Sequence, residues 1–108
     1  MNYLQKAEKA LDYRQSSEEE YARLKALVKS KSDRLKIEHS TLMLECTESS
    51  VAAKSTNAYA HPDYTQSIDS FETVERELYE IQEKRHRAEL TIEFWRSLNA
   101  AQKLGNPT

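Results

Sequence analysis

The sequence predicts an all-α fold, a long antiparallel helical hairpin of coiled-coil character preceded by a short N-terminal helix. Three observations predict it. No Gly or Pro, the two strongest helix breakers, occurs from Met1 to His61. Apolar residues from Phe71 to Trp95 recur at alternating spacings of three and four, the seam pattern of packed helices. A basic stretch in the first half is matched by an acidic one in the second. One domain over residues 1–108 is expected, with helices at about 3–15, 18–46 and 62–104 and a linker at 47–61.

The first helix rests on Tyr3, Ala7, Ala10, Leu11 and Arg14, which share a face. Ser17-Glu18-Glu19-Glu20 then has capping-box form, so a new helix is expected to start there. In it Tyr21, Val28, Leu35 and Leu42 repeat every seven residues, with Leu24, Leu27 and Met43 beside them. This helix fades between Cys46 and Glu48. Ser49 or Ser50 is placed to cap a short helical piece from Val51 to Ala58 inside the linker.

Pro62 marks the start of the last helix, because its missing N–H costs nothing at the first helical position and Asp63 suits the positive end of the dipole. Lys103, Leu104 and Gly105, followed by Pro107, form the stop signal. The segment between would span roughly 64 Å at 1.5 Å per residue. Its seam is Phe71, Val74, Leu78, Ile81, Arg85, Ala88, Ile92 and Trp95, apolar at all positions but Arg85. A polar residue on a seam fixes register at some cost in stability. A second stripe, Leu90, Phe94, Leu98 and Ala101, lies on another face and asks for a second neighbour.

Charge sets the pairing. Residues 23–36 hold Arg23, Lys25, Lys29, Lys31, Arg34 and Lys36 against one Asp33, and residues 63–83 hold Asp63, Asp69, Glu72, Glu75, Glu77, Glu80 and Glu83 against one Arg76. A turn near residue 54 lays these stretches side by side and brings Val28 near Leu78 or Ile81. Each exposed pair contributes only about 0–1 kcal/mol, so the sign pattern selects the register more than it stabilises it.

Charged residues make up 31% of the chain, while Leu, Ile, Val and Phe number 20 of 108. The net charge of −2 is too small to drive disorder, and so little apolar surface rarely stabilises a small domain alone. Two hairpins packed as a four-helix bundle would cover both stripes, so a homodimer or larger ring is expected. Cys46 is the single cysteine, which excludes an intrachain disulfide and fits a reducing compartment. The opening Met1-Asn2-Tyr3-Leu4-Gln5-Lys6 lacks the apolar run of a signal peptide, and no stretch approaches the roughly 18 apolar residues of a membrane span. A cytoplasmic protein with no membrane partner is expected.

The chemistry-bearing residues point away from catalysis. One glycine cannot build a phosphate-binding loop, and no serine sits in a Gly-flanked elbow. Glu83-Lys84-Arg85-His86 has Glu-x-x-His form, yet a di-metal bundle needs two such motifs and two further glutamates, and Lys84, Arg85 and Arg87 repel a cation. No catalytic residue, metal site or cofactor is predicted. Lys84, Arg85, His86 and Arg87 form a compact basic run, with Arg96 three turns beyond Arg85, and Tyr21, Tyr59, Tyr64, Tyr79 and Trp95 offer rings that could stack on unpaired bases. Against this stand the acidic balance, the seam position of Trp95, and the reach of Glu18, Glu19 and Glu20 toward the same run.

The stretch Arg85-His86-Arg87-Ala88-Glu89-Leu90-Thr91-Ile92-Glu93-Phe94-Trp95-Arg96-Ser97-Leu98, ending near Gly105-Asn106, resembles small helical proteins of phages and prophages. Asn2-Tyr3-Leu4, Lys6-Ala7 and Ser50-Val51-Ala52 are similar too. The resemblance is to members of DNA recombination gene modules, close in layout to phage recombination mediators. It implies a non-enzymatic, oligomeric scaffold that binds single-stranded DNA, a recombinase, an annealing protein or a single-strand-binding protein. Lys84, Arg85, Arg87 and Arg96 are the residues it assigns to DNA or partner contact, although mediators are usually more basic than this chain. The rival expectation is a protein-only phage inhibitor or adaptor of a host nuclease or defence complex, presenting an acidic helix face such as Glu72 to Glu83.

Overall fold

The computed structural model describes residues 2–105; Asn106 and Pro107, which enter the resemblance and the stop signal, lie outside them. The protein is all-α. Its helices are α1 (Tyr3–Ser16), α2 (Glu18–Glu45), α3 (Val51–Ala60) and α4 (Pro62–Gly105), with no strand among the described residues. The residues fall into two compact units. One unit combines residues up to Ala22 with those from Tyr79 onward, and the other holds Arg23–Leu78.

In the first unit α1 runs antiparallel to the C-terminal part of α4. Tyr3 packs on Phe94 with ring centroids 5.3 Å apart, Ala10 is buried with Ala88 and Ile92 while Tyr13 packs against them, and Arg14 pairs with Glu89 at 3.3 Å. Alanines at positions 7, 10 and 88 are buried, so small side chains let the two backbones approach. The start of α1 is fixed by a reciprocal cap: Asn2 Oδ1 accepts from the Gln5 N–H at 2.8 Å, and Gln5 Oε1 accepts from the Asn2 N–H at 3.1 Å.

The capping box expected at Ser17 does not form. Ser17 keeps helical dihedrals (φ −92°, ψ −3°), its N–H donates to the Tyr13 carbonyl at 2.9 Å, and its own carbonyl accepts from Tyr21 at 2.9 Å. Its hydroxyl turns back to the Arg14 carbonyl at 3.4 Å. An N-cap serine needs extended dihedrals to aim its oxygen forward, and Ser17 lacks them.

In the second unit α2 is antiparallel to α3 and then to the start of α4. Lys31 Nζ donates to Ser70 Oγ at 2.8 Å, Ser67 donates to the Glu38 carboxylate, and Ser55 Oγ lies 3.3 Å from His39 Nε2. The reversal occurs over residues 46–50, earlier than the turn expected near residue 54. Ser50 is the reason: extended at φ −95°, ψ 146°, it accepts from the Ala53 N–H and starts α3, so the return arm is under way by residue 54. Leu24 of α2 and Leu78 of α4 are both buried in this unit. The linker expected over 47–61 is thus mostly helix.

His61 separates α3 from α4. The residue before a proline is pushed out of the helical region, and His61 sits at φ −66°, ψ 135°. Its Nδ1 accepts from the Asp63 N–H at 3.1 Å and its carbonyl accepts from Thr65 at 3.1 Å, so it caps the helix that Pro62 opens. At the far end α4 includes Gly105, which has no positive φ.

Candidate nucleic-acid and partner interface

All eight seam residues of α4 are covered within the chain. Phe71, Val74 and Leu78 pack in the second unit, and Ile81, Arg85, Ala88, Ile92 and Trp95 in the first; Leu78, Ala88 and Ile92 are buried and the rest half-buried. The second stripe is only partly covered, Phe94 meeting the Tyr3 ring of α1. Leu90 is 51% exposed and Phe94 53%, Ala101 is exposed, and only Leu98 is half-buried. Tyr3, Lys6, Leu90, Thr91, Phe94 and Trp95 line a shallow groove of about 290 Å³ between α1 and α4. The stripe was readable as a pattern, but the contribution of Tyr3 and Lys6 from α1 depends on a tertiary contact that the sequence does not announce.

The basic run divides by role. Arg85 Nη1 donates to the Arg14 carbonyl at 2.9 Å and to Ser17 Oγ at 2.7 Å, and its guanidinium lies 4.7 Å from the centre of the Tyr21 ring. A cation at the C-terminus of α1 meets the negative end of that helix and satisfies the Arg14 carbonyl in its last turn. The planar guanidinium also stacks on an aromatic face, as an ammonium would not. Arg85 is therefore half-buried and engaged, the register-fixing arrangement that a polar seam residue implies.

Lys84, His86, Arg87 and Arg96 are exposed. Arg87 Nε donates to Glu83 Oε1 at 3.2 Å, an exposed pair one turn apart along α4. Such pairs contribute about 0.3–0.5 kcal/mol, so Arg87 can exchange Glu83 for a phosphate at little cost. No group of three His, Cys, Asp or Glu among the described residues is placed to hold a metal ion. Cys46 is half-buried, its Sγ accepting from Asn57 Nδ2 at 3.5 Å. No described helix is long and apolar enough to cross a membrane.

The ring residues also separate. Tyr21 lies under Arg85, Trp95 is half-buried in the α1–α4 groove, and Tyr79 is 59% exposed. Tyr59 and Tyr64 meet in the second unit with centroids 5.4 Å apart, and His39 joins them. Tyr64 is buried, and burial, then the neighbouring Tyr59 and Glu38, raises its pKa above the ordinary tyrosine value. His39 was not singled out by the sequence, since a lone histidine in a helix carries no signal until α3 folds back over it. No family matches the chain, and neither a curated protein nor a solved structure matches it.

Proposed function

We propose that this chain is a phage-encoded, non-enzymatic accessory protein of DNA recombination, a self-associating helical scaffold in the host cytoplasm. It holds single-stranded DNA, or a recombinase, annealing or single-strand-binding protein, and makes or breaks no bond. One observation carries the reading: α4 has its seam covered while Leu90 and Phe94, with Arg87 beside them, stay more than half exposed on another face although Phe94 meets Tyr3 of α1. An apolar face left half open is suited to receive a further neighbour.

In the assembled form, Lys84, Arg87 and Arg96 of each copy add to those of the next, so a chain with net charge −2 still presents a local cationic track. The test is oligonucleotide binding across a salt series. Affinity should fall steeply with salt, and the pair Lys84→Ala and Arg87→Ala should weaken binding and flatten the salt slope by about two. Binding that ignores salt and both substitutions removes the DNA arm of the proposal.

The protein-only inhibitor or adaptor is favoured by a different observation, the engagement of Arg85 inside the fold, which leaves a thinner basic run. It expects no response to DNA and one host complex retained on the immobilised protein.

A further inference from the structure

We propose that the second unit carries a nucleobase-stacking site for single-stranded nucleic acid, formed by Tyr59 and His39 with Lys36 placed for an adjacent phosphate. This rests on the single-strand arm of the function proposed above, but uses residues remote in sequence from the basic run of α4.

The site is built from three helices. The rings of His39 on α2 and Tyr59 on α3 stack with centroids 4.0 Å apart and planes 32° apart. Tyr64 on α4 meets both rings edge-on, at 5.4 Å from Tyr59 and 5.9 Å from His39. Ser55 Oγ, 3.3 Å from His39 Nε2, steadies the imidazole. Tyr59 is thus held against two rings, yet the residue remains 56% exposed. A ring fixed in place and open to solvent is a platform on which a base can stack with little ordering cost.

The surroundings supply the rest. Ser32, Leu35, Lys36, His39 and Ser40 of α2 line an open pocket of about 360 Å³ with Tyr59 and Tyr64, within the size range of small-ligand sites. Lys36 is exposed at its rim. Leu35 is shared with a neighbouring groove that Lys31 and Arg34 also line, so cations continue along α2 past the aromatic cluster. The one carboxylate in that groove, Glu38, accepts from Ser67. Stacking rings beside a row of cations is what an unpaired strand requires, since each base has a π face and each linkage a negative charge. A duplex, with its bases already stacked on one another, gains only the charge.

The experiment titrates the full chain with a short fluorescein-labelled oligothymidylate, following anisotropy, and with the matching duplex. Tyr59→Ala should weaken the single strand about 5- to 150-fold, the effect of losing one stacked base, and leave the duplex unchanged. Tyr59→Phe, which keeps the ring, should bind like the wild type, and Lys36→Gln should lower the salt dependence. As a readout without substitution, the ring protons of Tyr59 and His39 in the wild-type protein should shift upfield on adding the strand. Wild-type binding that Tyr59→Ala does not alter, with those ring signals unmoved, overturns this site and leaves the proposed function standing. A wild-type chain that binds no single strand overturns the DNA arm itself, and this inference with it.

Discussion

Arg85 joins the last turn of α1, the hydroxyl of Ser17 and the ring of Tyr21 through one guanidinium. Removing it leaves a carbonyl and a hydroxyl partly shielded from water without their charged donor, so Arg85→Ala should lower the free energy of urea unfolding by about 1.5–3 kcal/mol. Arg85→Lys should recover only part of this, because an ammonium lacks the fork. Lys84→Ala and Arg87→Ala should leave unfolding within about 0.5 kcal/mol of the wild type. If Arg85→Ala proves as stable as those two, Arg85 belongs with the binding residues instead. Tyr64 gives a prediction in pH. Because its folded-state pKa is raised, its contribution to stability is complete below the ordinary tyrosine value of 10.0 and declines as pH rises through the higher folded value. Unfolding midpoints should therefore fall on the alkaline side of that value, and Tyr64→Phe should reduce the slope. The residue scale was partly legible in the sequence: a polar residue on the seam announced Arg85, but its partners 68 and 71 positions away did not.

Among the elements, the two ends of α3 show which signals local chemistry can carry. Ser50 and Pro62 each act through dihedrals that they or their neighbours adopt, and both were readable. Ser17 was not, since Ser-x-x-Glu fits a capping box equally well inside a continuous helix, and here tertiary contacts to Arg85 held the hydroxyl pointing back. The reciprocal cap of Asn2 and Gln5 was spelled in the same form and passed over. Ser50→Ala should cost about 0.5–2 kcal/mol, seen as a lower urea midpoint. Ser17→Gly should not resemble the loss of an N-cap; it should instead loosen the α1–α2 passage, read as faster amide exchange across residues 13–21.

At the scale of the whole molecule, a thin core accompanies an apolar surface left partly open. Among the described residues, buried apolar residues number only eight, and four of them are alanines, so the fold has little apolar burial of its own to rely on. The seam of α4 and its partly covered stripe were both legible in one pattern of spacings, because the helix period puts them on different faces. Which face the chain would cover for itself was not, because that depends on how α1 and α2 fold back. The most direct test is native mass by light scattering, for the wild type and for Leu90→Glu with Phe94→Glu, alongside circular dichroism. The expected result is a dimer or larger ring for the wild type and a fully helical monomer for the double variant. A wild-type chain that stays monomeric at every concentration, or a double variant that assembles unchanged, would contradict it.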